Sequence, residues 1–199
     1  MSKIEVNQID TISGSSTLLV GPSAATKLTF SSTLTVDFNV NSPGVTLNDT
    51  MKNTPVFYGQ LASSQVVSRG VQTKLTGMTA QEIDTDSAFN GTTFTVPSGK
   101  NGYYFIYAGL FANFSDCGND GELIQLNIFK NGSSFKELKH ESVVNNQFKF
   151  FDIYFGLTMN LSVGDTIEAY IVLQDASANP GMKAQQDQTF LGGYRLIGA

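Results

Sequence analysis

The chain has 199 residues, 41% hydrophobic and only 15% charged, with a net charge of −5. That composition can bury a core and excludes global disorder. It also carries no Lys/Arg cluster to neutralise phosphates, so nucleic-acid binding is not expected.

Fifteen Phe, seven Tyr and no Trp, among many Ser, Thr, Asn and Gly residues, point to strands and turns. No apolar run approaches the roughly 18–20 residues that span a bilayer. The opening MSKIEVNQIDTISG has no apolar signal region, so the expectation is a protein made and folded in a cytosol. The single cysteine, Cys117, excludes an internal disulfide.

Residues 1–54 read as short alternating pieces punctuated by Gly, Pro, Ser and Asn: TLLV at 17–20, KLTF at 27–30, TLTV at 33–36, DFNV at 37–40 and VTL at 45–47. A period of two argues for strands. Each piece is too short to bury its apolar row alone. Copies wound side by side would bury Leu18, Val20, Leu28, Phe30, Leu34 and Val36 on a common axis, so this segment is expected to attach the protein or form a short β-rich stalk. The polar, Pro-containing stretch 51–55 is the expected boundary, with a second unit over 55–199.

VFYGQLA at 56–62 opens that second unit, and the alternation at 71–75 predicts another strand. The run 94–107, FTVPSGKNGYYFIY, reads as strand, tight turn, strand, with Pro97 and the Gly and Asn residues supplying the turn. Residues 103–108 carry no charge, so both faces of this strand are expected to be covered, one by a core and one by a neighbouring subunit. LIQLNIFK at 123–130 sets Ile124, Leu126 and Ile128 on one face and ends at Asn131-Gly132, a strong hairpin signal. A strand over 148–158 has apolar side chains on both faces. A turn at 161–165 leads into a strand to 173, a long polar loop is expected over 174–188, and the stretch 189–197 closes the chain as a strand. No segment has helical periodicity, so the fold class is all-β, a sandwich.

Several phrases, in order, resemble the globular head of complement C1q, a trimeric jelly roll shared with the tumour necrosis factor family. They are Phe94, Pro97, Gly102, Tyr104 and Ile106 (Ile where Phe is usual), DTDSAFNG at 84–91, IFKNG at 128–132, LSVGDTI at 161–167 and TFLGGYRLI at 189–197. The resemblance implies a C1q/TNF-like jelly-roll β-sandwich over 55–199 that assembles as a homotrimer. Tyr103, Phe105, Tyr107, Phe148 and Phe150 are the expected trimer interface. Residues 3–21 are similar in style to small virion proteins of tailed bacteriophages, in which a short β-rich segment precedes a C1q-like head.

Little in the chain points to catalysis. The only histidine, His140, lies in a charged segment, and Cys117 has no neighbouring cation in sequence to favour its thiolate. No nucleophile elbow, phosphate-binding glycine loop or zinc-spaced cluster occurs. Asp116, Asn119, Asp120 and Glu122 place four oxygen ligands in one loop, and calcium takes six to eight oxygens, so this loop is the one cofactor candidate. Five Asn-x-Ser/Thr sequons, at Asn48, Asn90, Asn113, Asn131 and Asn160, imply no glycosylation without an export signal.

The expected protein is a non-enzymatic, homotrimeric component of a bacteriophage virion, exposed as a short fibre or capsid decoration. Its partners would be itself, other virion proteins such as the major capsid or tail proteins, and a host surface receptor or glycan. The alternative, a bacterial C1q/TNF-like adhesion or carbohydrate-binding module, calls for an export signal that 1–14 does not supply.

Overall fold

The computed structural model describes residues 53–117, 121–141, 149–175 and 181–196. The six expected attachment residues between Leu18 and Val36 therefore lie outside the described residues, as do Phe148, Asn119 and Asp120.

Among the described residues every element is a strand: β1 (Val56–Gln60), β2 (Gln65–Val66), β3 (Thr73–Lys74), β4 (Ala80–Asp84), β5 (Thr93–Thr95), β6 (Gly102–Asn113), β7 (Gly121–Lys130), β8 (Ser133–Glu141), β9 (Phe150–Leu161), β10 (Thr166–Asp175), β11 (Lys183–Ala184) and β12 (Phe190–Arg195). They form two antiparallel sheets. In the first, β9 lies along one edge of β6, and β12, β1 and β4 follow in that order on the other. The short β11 takes up the end of that same edge of β6 and pairs in turn with β2. In the second sheet the order is β3-β10-β7-β8, with β5 sharing the β10 edge. Strands distant in sequence are neighbours in both sheets, which is the connectivity of a jelly roll.

Alternation along the strands decides which side chains meet between the sheets. On β6 the even positions Tyr104, Ile106, Ala108, Leu110 and Ala112 are buried. They face Ile124, Leu126 and Ile128 of β7 and Ile167, Ala169, Ile171 and Leu173 of β10 in one core. Phe57 and Phe94 stack at 4.2 Å between centroids, and Phe94 lies 5.8 Å from Tyr104. The Tyr104 hydroxyl, sealed in this core, donates to the carbonyl of Lys100 at 2.5 Å, and burial pushes its pKa up to about 12.

The Asn131-Gly132 hairpin forms as expected. Both residues have positive φ, 52° and 74°, the combination a two-residue turn of this hand requires. Its side chains also fasten the far hairpin. Asn131 Oδ1 accepts from the Thr166 amide at 2.8 Å, Asn131 Nδ2 donates to Asp165 Oδ1 at 2.8 Å, and Lys130 Nζ pairs with Asp165 Oδ2 at 2.9 Å.

Three expectations need correction. The strand read over 71–75 is shorter: Thr73–Lys74 pair with β10 beside β5, and the Leu75 amide adds one further bond to the carbonyl of Ala169 at 2.9 Å. The strand read over 148–158 is Phe150–Leu161; its end is set by unbroken pairing with β6 out to Gly102, which local alternation does not reveal. The loop read over 174–188 starts later and is interrupted by a short strand. β10 continues to Asp175, and Lys183–Ala184 adds to the β6 edge, where main-chain pairing outweighs a polar local sequence.

Candidate functional site

The odd positions of β6 and the even positions of β9 point away from the core. In most sandwiches such a face would be polar. Here it is paved with rings: Tyr103, Phe105, Tyr107 and Phe111 on β6, Phe150 and Tyr154 on β9, Phe190 and Tyr194 on β12, and Tyr58 on β1. The core covers one side of β6, and this second side, expected to be covered by a neighbouring subunit, is left partly open by the single head. Tyr103 is 43% exposed, Tyr154 51% and Phe150 53%.

Six of the rings are linked in one network, and two more form a separate pair. Tyr194 meets Phe105 at 5.6 Å, Phe105 meets Tyr107 at 6.1 Å, Tyr107 meets Phe190 at 6.2 Å and Phe190 meets Tyr154 at 6.0 Å. Tyr58 joins through Tyr107 at 6.4 Å and Phe190 at 5.6 Å, and Phe111 pairs with Phe150 at 6.0 Å. These separations suit favourable offset and tilted aromatic pairs.

Glycines make the pavement flat. Cross-strand register places Tyr58, Gly192, Tyr107 and Gly156 in one row and Phe190, Gly109 and Tyr154 in the next. A Cβ on Gly192 would come within 2.5 Å of the Tyr107 ring, one on Gly156 within 2.5 Å of Phe105, and one on Gly109 within 2.5 Å of both Phe190 and Tyr154. Each ring therefore lies down across a bare stretch of neighbouring backbone, as aromatic side chains do when they cover glycine in a sheet.

The rings themselves carry no charge, while Asp152, between Phe150 and Tyr154, brings a carboxylate to the same face. Burial among the rings, followed by the neighbouring Tyr58 and Tyr194, raises the Tyr107 pKa. Burial and then the adjacent Asp152 raise that of Tyr154. The phenols stay neutral, so a second apolar surface can approach without desolvating tyrosinates.

Of the five residues expected at an assembly interface, Tyr103, Phe105, Tyr107 and Phe150 share this one outward face. Sequence reasoning missed Tyr58, Phe111, Tyr154, Phe190 and Tyr194. The available signal was the pairing of rings with glycine in YAG at 107–109, YFG at 154–156 and FLGGY at 190–194.

The candidate calcium ligands behave differently. Asp116 accepts a hydrogen bond from Lys183, and that bond, with the lysine's charge, lowers its pKa. Glu122 lies 3.8 Å from Arg69. Both carboxylates thus face cations, and among the described residues no three His, Cys, Asp or Glu side chains converge on a metal position. Cys117 is buried, which raises its pKa and keeps it a thiol. His140 is exposed on β8 and stacks on Phe151 at 4.3 Å.

No protein-family model and no curated protein matches this sequence. Solved structures do. Eiger TNF from S. frugiperda superposes with a TM-score of 0.51 at 11% identity, over 74% of this chain and 96% of that one. The globular domain of zebrafish complement 1qA protein (TM-score 0.47, 13% identity, 72% of this chain and 98% of that one) and murine APRIL (0.48, 14%, 71% and 100%) are also similar. Two antiparallel sheets with jelly-roll connectivity, together with the Eiger likeness, define the class: the fold is a C1q/TNF-like jelly roll. At such identities the likeness extends to the fold alone.

Proposed function

We propose that this chain is a non-enzymatic structural protein of a bacteriophage virion. It assembles as a homotrimer, stands on the particle surface as a short fibre or capsid decoration, and presents its jelly-roll heads to a host receptor or glycan. It is made in the host bacterial cytoplasm and joins other virion proteins through residues 1–54. The observation that carries the assembly is the aromatic pavement. A contiguous apolar face of this kind marks a site of association, and the uncharged rings of Phe105, Tyr107, Phe190 and Tyr154 suit a second copy of the same head. The virion reading is supported by the style of residues 3–21 and by the short alternating pieces that follow them.

Native mass tests the assembly. Three chains of 21.5 kDa make a particle of about 64.5 kDa. A species of that mass that survives dilution supports the reading, and a folded monomer overturns it. For the virion role, antibody against the head should label purified particles and block their adsorption to host cells. Particles that neither carry the protein nor lose adsorption would remove that part of the reading.

A further inference from the structure

A polar cleft of about 280 Å³ opens on the head between the loop after β4 and strand β5. It shares no residue with the aromatic pavement. Its walls include Asp86, Ser87, Asn90, Thr95 and, as apolar surface, Ala88 and Pro97.

The walls are held in place from behind. The Asp84 carboxylate accepts from the amides of Ala88 at 2.9 Å and Phe89 at 3.1 Å, which holds Ser87 in the left-handed region at φ 53°. Asn90 Oδ1 accepts from the amides of Thr92 at 3.1 Å and Thr93 at 2.8 Å, which orients its side chain. The Thr95 amide donates to the carbonyl of Ala88 at 2.9 Å, joining loop to strand.

Hydrogen-bonding capacity remains on the open side. Asn90 Nδ2 and the hydroxyls of Ser87 and Thr95 make no hydrogen bond among the described residues. Asp86 adds a carboxylate whose charge is offset by Lys100 at 3.7 Å. One balanced charge is a poor field for a free ion. A mixed set of donors and acceptors beside the Ala88 methyl and the Pro97 ring matches hydroxyls that both donate and accept around a C–H face.

We infer that this cleft is a binding subsite for one neutral sugar ring of a glycan. The volume lies just under the roughly 300 Å³ at which drug-sized pockets begin, which suits a single pyranose. The inference rests on the recognition part of the proposed function and gives it a place on the head. Binding of one ring should be about millimolar, because few atoms make contact in an open site.

The test is saturation-transfer NMR on the full chain with D-glucose, D-galactose and D-mannose, each at about 10 mM. Transfer to at least one sugar is expected. Affinity should fall about fivefold in Thr95→Val, which exchanges a hydroxyl for a methyl of the same shape, and again in Asp86→Asn. Thr95→Val should melt where the parent does, so its loss cannot be put down to misfolding. No transfer to any of the three sugars overturns the inference. So does transfer that survives both substitutions, or transfer abolished by Tyr154→Ser alone, which would place the sugar on the aromatic face. Native mass measured on the same samples separates the readings. A trimer that binds no sugar removes the cleft and leaves assembly standing, whereas a sugar-binding monomer does the reverse.

Discussion

The ring of Tyr107 lies across the backbone of Gly192, in space that a Cβ at position 192 would enter to within 2.5 Å. The next residue, Gly193, looks the other way. A Cβ there would meet Ile106 at 2.6 Å, Phe57 at 2.9 Å and the carbonyl of Phe105 at 3.0 Å. Two adjacent glycines thus make room on opposite faces of one sheet, and their substitution should separate assembly from folding.

Gly192→Ala pushes the tip of Tyr107, which can swing outward, so the head should lose only about 1 kcal/mol. The pavement would no longer be flat. Sedimentation at falling concentration should show the proposed trimer dissociating, in this variant, well above the concentration at which it does in the parent. Gly193→Ala overpacks the core against side chains and backbone that cannot yield, and should cost about 1–3 kcal/mol in denaturant unfolding. An equal effect of both substitutions on melting and on mass would contradict this division.

Phe150→Ser and Tyr154→Ser remove rings that are more than half exposed on the single head. Unfolding free energy of the isolated subunit should change by no more than about 0.5 kcal/mol, as at other surface positions. In the proposed trimer those rings would be buried, and each truncation should cost about 2 kcal/mol or more of association if it is a centre of the interface. Native mass spectrometry reads this as loss of the 64.5 kDa species. A fully retained trimer in the double variant would move the interface elsewhere.

Asp165 should make the head acid-labile. The hydrogen bond from Asn131, assisted by Lys130 and the Ser162 amide, holds its carboxyl at about 2, below the ordinary 3.8. A carboxyl lowered by folding stabilises the fold fully above its unfolded pKa, and that contribution is lost as pH falls through the folded value. Melting temperature should therefore drop between about pH 4 and pH 2. In Asp165→Asn the part of that slope due to this group should vanish, with lower stability at neutral pH. A variant whose acid limb matches the parent's would remove the latch from the account.

Gly132→Ala tests the hairpin. A Cβ there meets nothing within 4 Å, so the only penalty is the backbone conformation at φ 74°. Left-handed backbone costs a non-glycine residue roughly 1–2 kcal/mol, and urea unfolding should show that loss with an unchanged m-value. A neutral substitution would mean that the turn relaxes.

Much of this was legible in the chain. Ile124, Leu126 and Ile128 alternate with polar residues and lie in the core. Asn131-Gly132 announces its turn because few other pairs accept positive φ twice. Period two also places Tyr103, Phe105 and Tyr107 on one side of β6, and Phe150 with Tyr154 on one side of β9, since successive side chains in a strand must oppose one another.

What alternation cannot say is which face a strand turns inward. β6 is apolar on both sides, so either row could have been core. The opposing sheet, packed on Tyr104 and Ile106, decides it. Nor could the chain reveal that Tyr107 would lie over Gly192, or Phe190 and Tyr154 over Gly109. Those residues are far apart in sequence, and their meeting depends on the register of β12 and β9 against β6. Residue chemistry and strand period are local and can be read along the chain. Register between distant strands is set by how the whole core packs, and only the tertiary structure contains it.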